Sequence, residues 1–297
     1  MFEQLPIRGH LVHLDAAWQA LTLHHDYPAA IRDLLGEAVT AALLLAATIK
    51  FEGVLSLQLQ GDGPVRLLLA QCTSGLGVRG LARHREELPA GGAVSLAADI
   101  GTLDLSTLLG AGNLTVTLET DDQAQRYQGI VPLTGKRLAD SLQMYFENSE
   151  QLSTRLWLHA HAQGAAGLLL QRLPGEGAHW QDGTEDAWRR VQLLGETLTP
   201  VELATLADAD ILHRLFNEDD VRLYEPSPVY FRCRCSTKRV SGMLQGLGEA
   251  ETRSVLAERG TVEVRCDFCN RAYVFDSVDV MQVFNPPIAD GNDKSVH

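Results

Sequence analysis

The sequence predicts an α+β protein in three parts: a large N-terminal α/β-mixed domain with an antiparallel sheet, a helical linker, and a small C-terminal cysteine-bearing domain. Three observations predict it. Up to about Gly177, strand-like alternation and helix-like periodicity are interleaved. A glycine-rich break, "LPGEGAHWQDG", is then followed by helical patterns alone. Beyond "YEPSPVYF", where Pro226 and Pro228 oppose helix continuation, four of the five cysteines fall in two short pieces. The expected divisions are 1–178 for the core domain, 179–228 for the linker, 229–284 for the cysteine domain and 285–297 for a flexible tail.

Within the first part, Asp33 to Lys50 reads as a core helix; its run "AVTAALLLAATI" is apolar but too short to span a bilayer. "VLSLQLQGDGPVRLLLA" holds two alternating runs around Gly61-Asp62-Gly63, a hairpin signal. "NLTVTLET" and "RLWLHA" read as half-buried strands. "LTGKRLADSLQMYFENSEQL" reads as an amphipathic helix with Leu138, Leu142, Tyr145 and Phe146 on one face. In the linker, one helix runs from a Thr184 cap through "EDAWRRVQLLGE". Another starts at Thr199, with Pro200 at the first helical position and Glu202 completing a capping box. The cysteine domain is expected to hold one helix, Lys238 to Leu247, and a hairpin of "GTVEVRC" with "YVFDSV".

"FRCRCSTKRV" carries Cys233 and Cys235, and "VRCDFCNRAY" carries Cys266 and Cys269. Four thiolates suit the tetrahedral preference of zinc and would close a structural site. In a module this small, one Zn²⁺ would supply much of the folding free energy, on the order of 10 kcal/mol. The spacing leaves three uses open: a permanent cage, a disulfide clip, or a centre that passes between the two. Every ligand can be oxidised. Arg232, Arg234, Lys238, Arg239, Arg265 and Arg271 surround the pairs and would favour thiolate. Each pair is also near enough in sequence for a local crosslink, readily for CxxC and with a strained turn for CxC. Such short loops barely restrict an unfolded chain, so clips would not replace a lost metal brace. Oxidation should therefore eject metal and unfold the module.

The charge balance narrows the partners. A formal net charge of −13 excludes broad binding to nucleic acid or anionic membrane, although the local arginines make a nucleic-acid zinc ribbon a rival reading. Phe268, Tyr273 and Phe275 suit a small core as well as a stacking platform. Catalytic zinc is disfavoured, since four thiolates leave no open position. "MFEQLPIRGH" lacks a basic segment followed by an apolar one, so no signal peptide is expected. The expected compartment is the cytoplasm, where thiols stay reduced. Cys72 reads as a buried thiol. His159 and His161 share a strand face and read as solvent-facing rather than metal-binding.

Taken together, the CxC, thirty intervening residues and CxxC resemble the Hsp33 family of redox-regulated holdase chaperones. "LLGEAVTAALLLAATIKFEGVLSLQLQGDGPVRLL", "YQGIVPLTG", "YFENSEQLSTRLWL", "GLLLQRLP", "TLTPVEL" and "ILHRLFNEDDVRLYE" extend the likeness over nearly the whole chain. The resemblance implies one zinc on the four cysteines of a reduced, largely inactive form. It implies oxidation by hypochlorous acid, or by peroxide with unfolding, to Cys233–Cys235 and Cys266–Cys269. Zinc then leaves, the cysteine domain and linker lose order, and the protein forms a homodimer. That form binds unfolded or aggregation-prone client proteins without ATP. Apolar Trp188, Leu193, Leu194, Leu203, Leu206, Ile211, Leu215 and Phe216, interleaved with acidic residues, suit the linker to that role. Asn217 stands where the family often has histidine, and no function is assigned to it. The alternatives are a thiol–disulfide oxidoreductase working through Cys266 and Cys269, and a constitutive zinc-stabilised adaptor.

Overall fold

A computed structural model describes residues 1–85, 104–121, 126–174 and 184–285. The chain divides into two compact units, Met1–Arg232 and Cys233–His297. The expected boundary at 178/179 and the expected tail, from residue 286 on, lie outside the described residues.

The first unit is built around one helix. Strand β1 (Ile7–Leu14) leads through the short α1 (Ala16–Thr22) to α2 (Ala29–Thr48), which is buried over most of its circumference from Ala30 to Ala46. A helix apolar on all sides needs a partner on every side. Two largely antiparallel sheets supply them. The first comprises β2 (Gly53–Gly61), β3 (Val65–Thr73), β4 (Gly77–His84), then, after α3 (Leu105–Leu109), β5 (Gly112–Thr120) and β6 (Arg126–Pro132). The second holds β7 (Thr154–Ala160) and β8 (Ala165–Arg172) with β1, in the order β1-β8-β7. Gly36 permits the close approach of α2 to this sheet: a Cβ there would sit 2.6 Å from the Ala160 Cβ.

The Gly61-Asp62-Gly63 hairpin forms as expected, with Leu59 opposite Leu68 and Leu57 opposite Ala70. Helix α4 (Leu138–Tyr145) is shorter than its sequence pattern. A π turn over Phe146–Glu150 follows it, and Gln151 ends the run in the left-handed region at φ 54°.

Three helices cover the other face of the β1-β8-β7 sheet: α5 (Thr184–Glu196), α6 (Pro200–Thr205) and α7 (Asp208–Phe216). Trp188, Val191, Leu203, Ile211, Leu215 and Phe216 are buried with Ile7, Leu168 and Leu170 of the sheet, whereas Leu193 stays 54 % exposed. The Thr199 capping box is present, with Thr199 N–H donating to Glu202 Oε2 at 2.9 Å and Glu202 N–H to Thr199 Oγ1 at 3.2 Å. Polar ties add to the packing. Arg190 pairs with Asp219 at 2.9 Å and Arg214 with Glu202 at 2.6 Å. His13 on β1 faces the Leu203 carbonyl at 2.8 Å and Asp208 at 2.9 Å. The unit closes with β9 (Tyr230–Phe231), laid parallel against β4.

The second unit contains α8 (Thr237–Leu247), α9 (Glu249–Arg259), the hairpin β10 (Val262–Arg265) with β11 (Ala272–Phe275), and α10 (Ser277–Phe284). The expectation of one helix is thus corrected to three. In "EAETRSVLAER" only Thr252 is buried, so α9 shows almost no apolar stripe in sequence. Helix α10 is announced by an Asp276 cap that accepts from the N–H groups of Val278 and Asp279, both at 2.8 Å. The core is small, consisting of Val240, Leu244, Val262, Tyr273, Phe275, Val280 and Val283.

Candidate metal centre

The four clustered cysteines converge. Their sulfurs all lie within 4.8 Å of one another, and each residue is half-buried. Local structure explains how two separate pairs meet. Cys233 and Cys235 lie just ahead of α8, whose N-cap Ser236 accepts from the Arg239 N–H at 3.3 Å. The Arg239 guanidinium reaches back to the Arg234 carbonyl at 2.9 Å, bracing the CxC segment against the first turn. Cys266 and Cys269 occupy the turn between β10 and β11. Asn270 N–H donates to the Cys266 carbonyl at 2.7 Å and Cys266 N–H to the Arg271 carbonyl at 3.0 Å. Asn270 takes the left-handed conformation, φ 53°, that such a tight turn requires and that asparagine tolerates.

The pairs face each other across the cluster. The Cys233 and Cys266 sulfurs are 3.6 Å apart, and those of Cys235 and Cys269 are 3.4 Å apart. The backbone N–H of Cys235 is directed at the Cys233 sulfur, and that of Arg271 at the Cys269 sulfur. The Tyr273 hydroxyl donates to Cys235 Sγ at 3.0 Å. These donors all favour sulfur in its anionic form.

Among the thiols themselves, burial pushes Cys233 and Cys269 above the ordinary value. Burial acts the same way on Cys235, but the hydrogen bonds from Tyr273 and the neighbouring thiols outweigh it and bring that group down to about 7. Of these three thiols, the one Tyr273 touches is the one whose thiolate is favoured.

Sequence reasoning left Tyr273 between a small hydrophobic core and a stacking platform; it lies in the core, 9 % exposed. That reasoning missed the hydroxyl's role. No local signal marks it, because Tyr273 and Cys235 are 38 residues apart and meet only through the hairpin. Phe275 is buried beside it and Phe268 is half-buried. Cys72 is fully buried on β3, and burial pushes its thiol up to about 12. His159 and His161 are half-buried rather than solvent-facing, stacked with ring centroids 5.8 Å apart. They lie in the other unit from the cysteines.

The Hsp33 protein family model matches residues 1–276, across both units and all four cysteines. This chain belongs to the Hsp33 family. It is 47 % identical over 288 residues to the 33 kDa chaperonin of Nitrosococcus oceani, covering 97 % of this chain and 93 % of the relative. With the 33 kDa chaperonin of Methylobacillus flagellatus it shares 42 % identity, over 99 % and 96 % of the two chains. The crystal structure of the 33 kDa chaperonin from Thermotoga maritima superposes with a TM-score of 0.80 over 96 % of this chain and 95 % of that one; at 23 % identity this likeness speaks to the fold. As an Hsp33 protein the chain is a redox-regulated, ATP-independent chaperone and not an enzyme. The α+β fold carries a four-cysteine cluster able to hold a metal ion. The oxidoreductase reading also lacks its geometry, since Cys266 and Cys269 sit in a β-turn and not at a helix N-terminus. No helix among the described residues is long and apolar enough to cross a membrane.

Proposed function

We propose that Cys233, Cys235, Cys266 and Cys269 hold one Zn²⁺ in the reduced protein, and that their oxidation is the switch that turns chaperone activity on. The convergence of four sulfurs within 4.8 Å carries this reading. A tetrahedral site with Zn–S bonds of about 2.3 Å has sulfur–sulfur edges of about 3.8 Å. The two facing pairs, at 3.6 and 3.4 Å, are close to that size. When bound, zinc would act as a structural crosslink between the CxC segment and the hairpin turn. The seven-residue core of the unit offers little to replace it.

Oxidation converts four thiolates to two disulfides with the loss of four electrons, so two equivalents of a two-electron oxidant are consumed. A disulfide sulfur is no longer a thiolate ligand, and the metal is released. The pairing we propose is Cys233–Cys235 and Cys266–Cys269. Closing these short loops leaves the two halves of the unit unconnected, whereas crosslinks between the facing pairs would keep them joined. The unit from 229 to 284 thus behaves as a zinc-dependent domain that loses order on oxidation, and order is lost along the adjoining linker. The linker then exposes Trp188, Ile211, Leu215 and Phe216, now buried, among acidic side chains that keep it soluble. Clients are unfolded or aggregation-prone proteins. The oxidised form is a homodimer, and the compartment is the cytoplasm.

Disulfide mapping by mass spectrometry of the oxidised, alkylated protein tests the pairing. Peptides joined 233–235 and 266–269 are expected. Joined 233–266 and 235–269 peptides as the main products would refute the proposed release.

A further inference from the structure

A second built cavity lies in the first unit. It encloses about 270 Å³ between α2, α3, the start of α4, β7 and Pro200 of α6. That is close to the lower limit of ligand pockets, roughly 300 Å³. Its floor is Glu37, 8 % exposed. Among the described residues no hydrogen bond or ion pair reaches this carboxyl. One turn away on α2, Asp33 is instead held by the Arg32 guanidinium at 2.7 Å. A carboxyl that lines a cavity without a hydrogen-bond partner from the described residues is open to a ligand.

The remaining lining decides what fits. Lys136 and Arg137, both exposed at the rim, make no ion pair among the described residues. The stacked rings of His159 and His161 form one wall, and Leu105, Leu108 and Pro200 give apolar surface with no charge. Burial, with Asp33 adding to it and Arg137 opposing, pushes the Glu37 carboxyl up to about 8, so at neutral pH it carries a proton to donate. Burial first, then His161 and Arg137, lower His159, which is neutral there too. With Asp33 compensated by Arg32, the cavity has two cations, a buried proton donor and apolar walls. A cationic ligand would have to pass the rim cations and displace that proton.

We propose that this cavity is a binding site for a small organic carboxylate, with the anionic head between Arg137 and the Glu37 carboxyl and the apolar body against Leu105, Leu108 and Pro200. No part of it depends on the cysteine centre.

The test uses the reduced full chain, titrated with hexanoate, inorganic phosphate and hexylamine at pH 6.5 and pH 9 while the imidazole resonances of His159 and His161 are followed by NMR. Hexanoate should shift both saturably, with affinity about tenfold lower at pH 9, where Glu37 has lost its proton and repels the head. Glu37→Gln keeps an N–H donor without the titration, so its affinity should be the same at both pH values; this control isolates Glu37 as the source of the pH dependence. Arg137→Ala, at an exposed position that leaves the fold intact, should weaken hexanoate about tenfold. The proposal is overturned by unchanged affinity in Arg137→Ala, by no saturable shift with hexanoate, by phosphate binding as tightly as hexanoate, or by hexylamine binding that strengthens toward pH 9.

Discussion

Tyr273 shows how a single side chain serves both packing and chemistry. Its ring belongs to the core of the second unit and its hydroxyl donates to Cys235 Sγ at 3.0 Å. Tyr273→Phe keeps the ring and removes the donor. Outer-shell partners of metal ligands are worth about 10–100-fold in affinity. Competition with a chromophoric chelator should therefore show zinc held about tenfold more weakly in the variant, and equal affinity would remove Tyr273 from the centre's support. Glu37 makes a second residue-scale prediction. Its carboxyl titrates at about 8 in the fold, against an ordinary value of 4.5. Because the folded-state value is raised, the folded form holds the extra proton between these values. The stability it contributes is complete below about 4.5, falls as pH rises toward about 8 and is level above that. Denaturant midpoints of wild type should thus fall relative to Glu37→Gln over this window, whereas parallel profiles would contradict the assignment. The cysteine positions themselves were legible in sequence, because CxC and CxxC are local patterns. The support from Tyr273, and the place of Glu37 in a cavity, were not legible, since each depends on which elements the chain brings together.

At the scale of elements, the covering helices α5, α6 and α7 are where the proposed switch sets stability against function. Phe216 is 2 % exposed and packs edge-on against Phe2 with centroids 5.1 Å apart. Removing so large a buried ring typically costs about 3–5 kcal/mol. Phe216→Ala should loosen α7 from the sheet, so that the reduced protein becomes more sensitive to proteolysis within 200–220 and suppresses client aggregation without oxidant. A reduced variant that is both protease-resistant and inactive would show that this packing does not restrain activity. The elements that sequence reasoning found had either clear punctuation, as at the Gly61-Asp62-Gly63 turn and the Thr199 capping box, or clear periodicity, as in α2, β5 and β7. It passed over β1, β4 and α9 for a physical reason. His10 and His13 interrupt the alternation of β1, "GVRGLARH" in β4 mixes two glycines with two arginines, and α9 buries only one residue. Their structure comes from tertiary packing that no local pattern records.

For the whole molecule, two units with unlike sources of stability follow from the sequence. The first has α2 buried between two sheets and a core of several dozen side chains. Among its described residues the second has seven buried apolar side chains and four half-buried thiols. A core of the second size would depend on the proposed metal crosslink, and the first would not. On the proposed switch, chemistry at four sulfurs unmakes the second unit and loosens the covering helices, while the core around α2 stands. The most direct test exposes the reduced, zinc-loaded protein to mild oxidant at raised temperature and follows zinc release, free thiols, amide hydrogen exchange and suppression of client aggregation on the same samples. Zinc loss, disappearance of four thiols, loss of protection in 233–285 with retention in α2, and onset of holdase activity should run on one time course. Full activity of the reduced protein, or an active form that keeps its zinc and all four thiols, would contradict the switch.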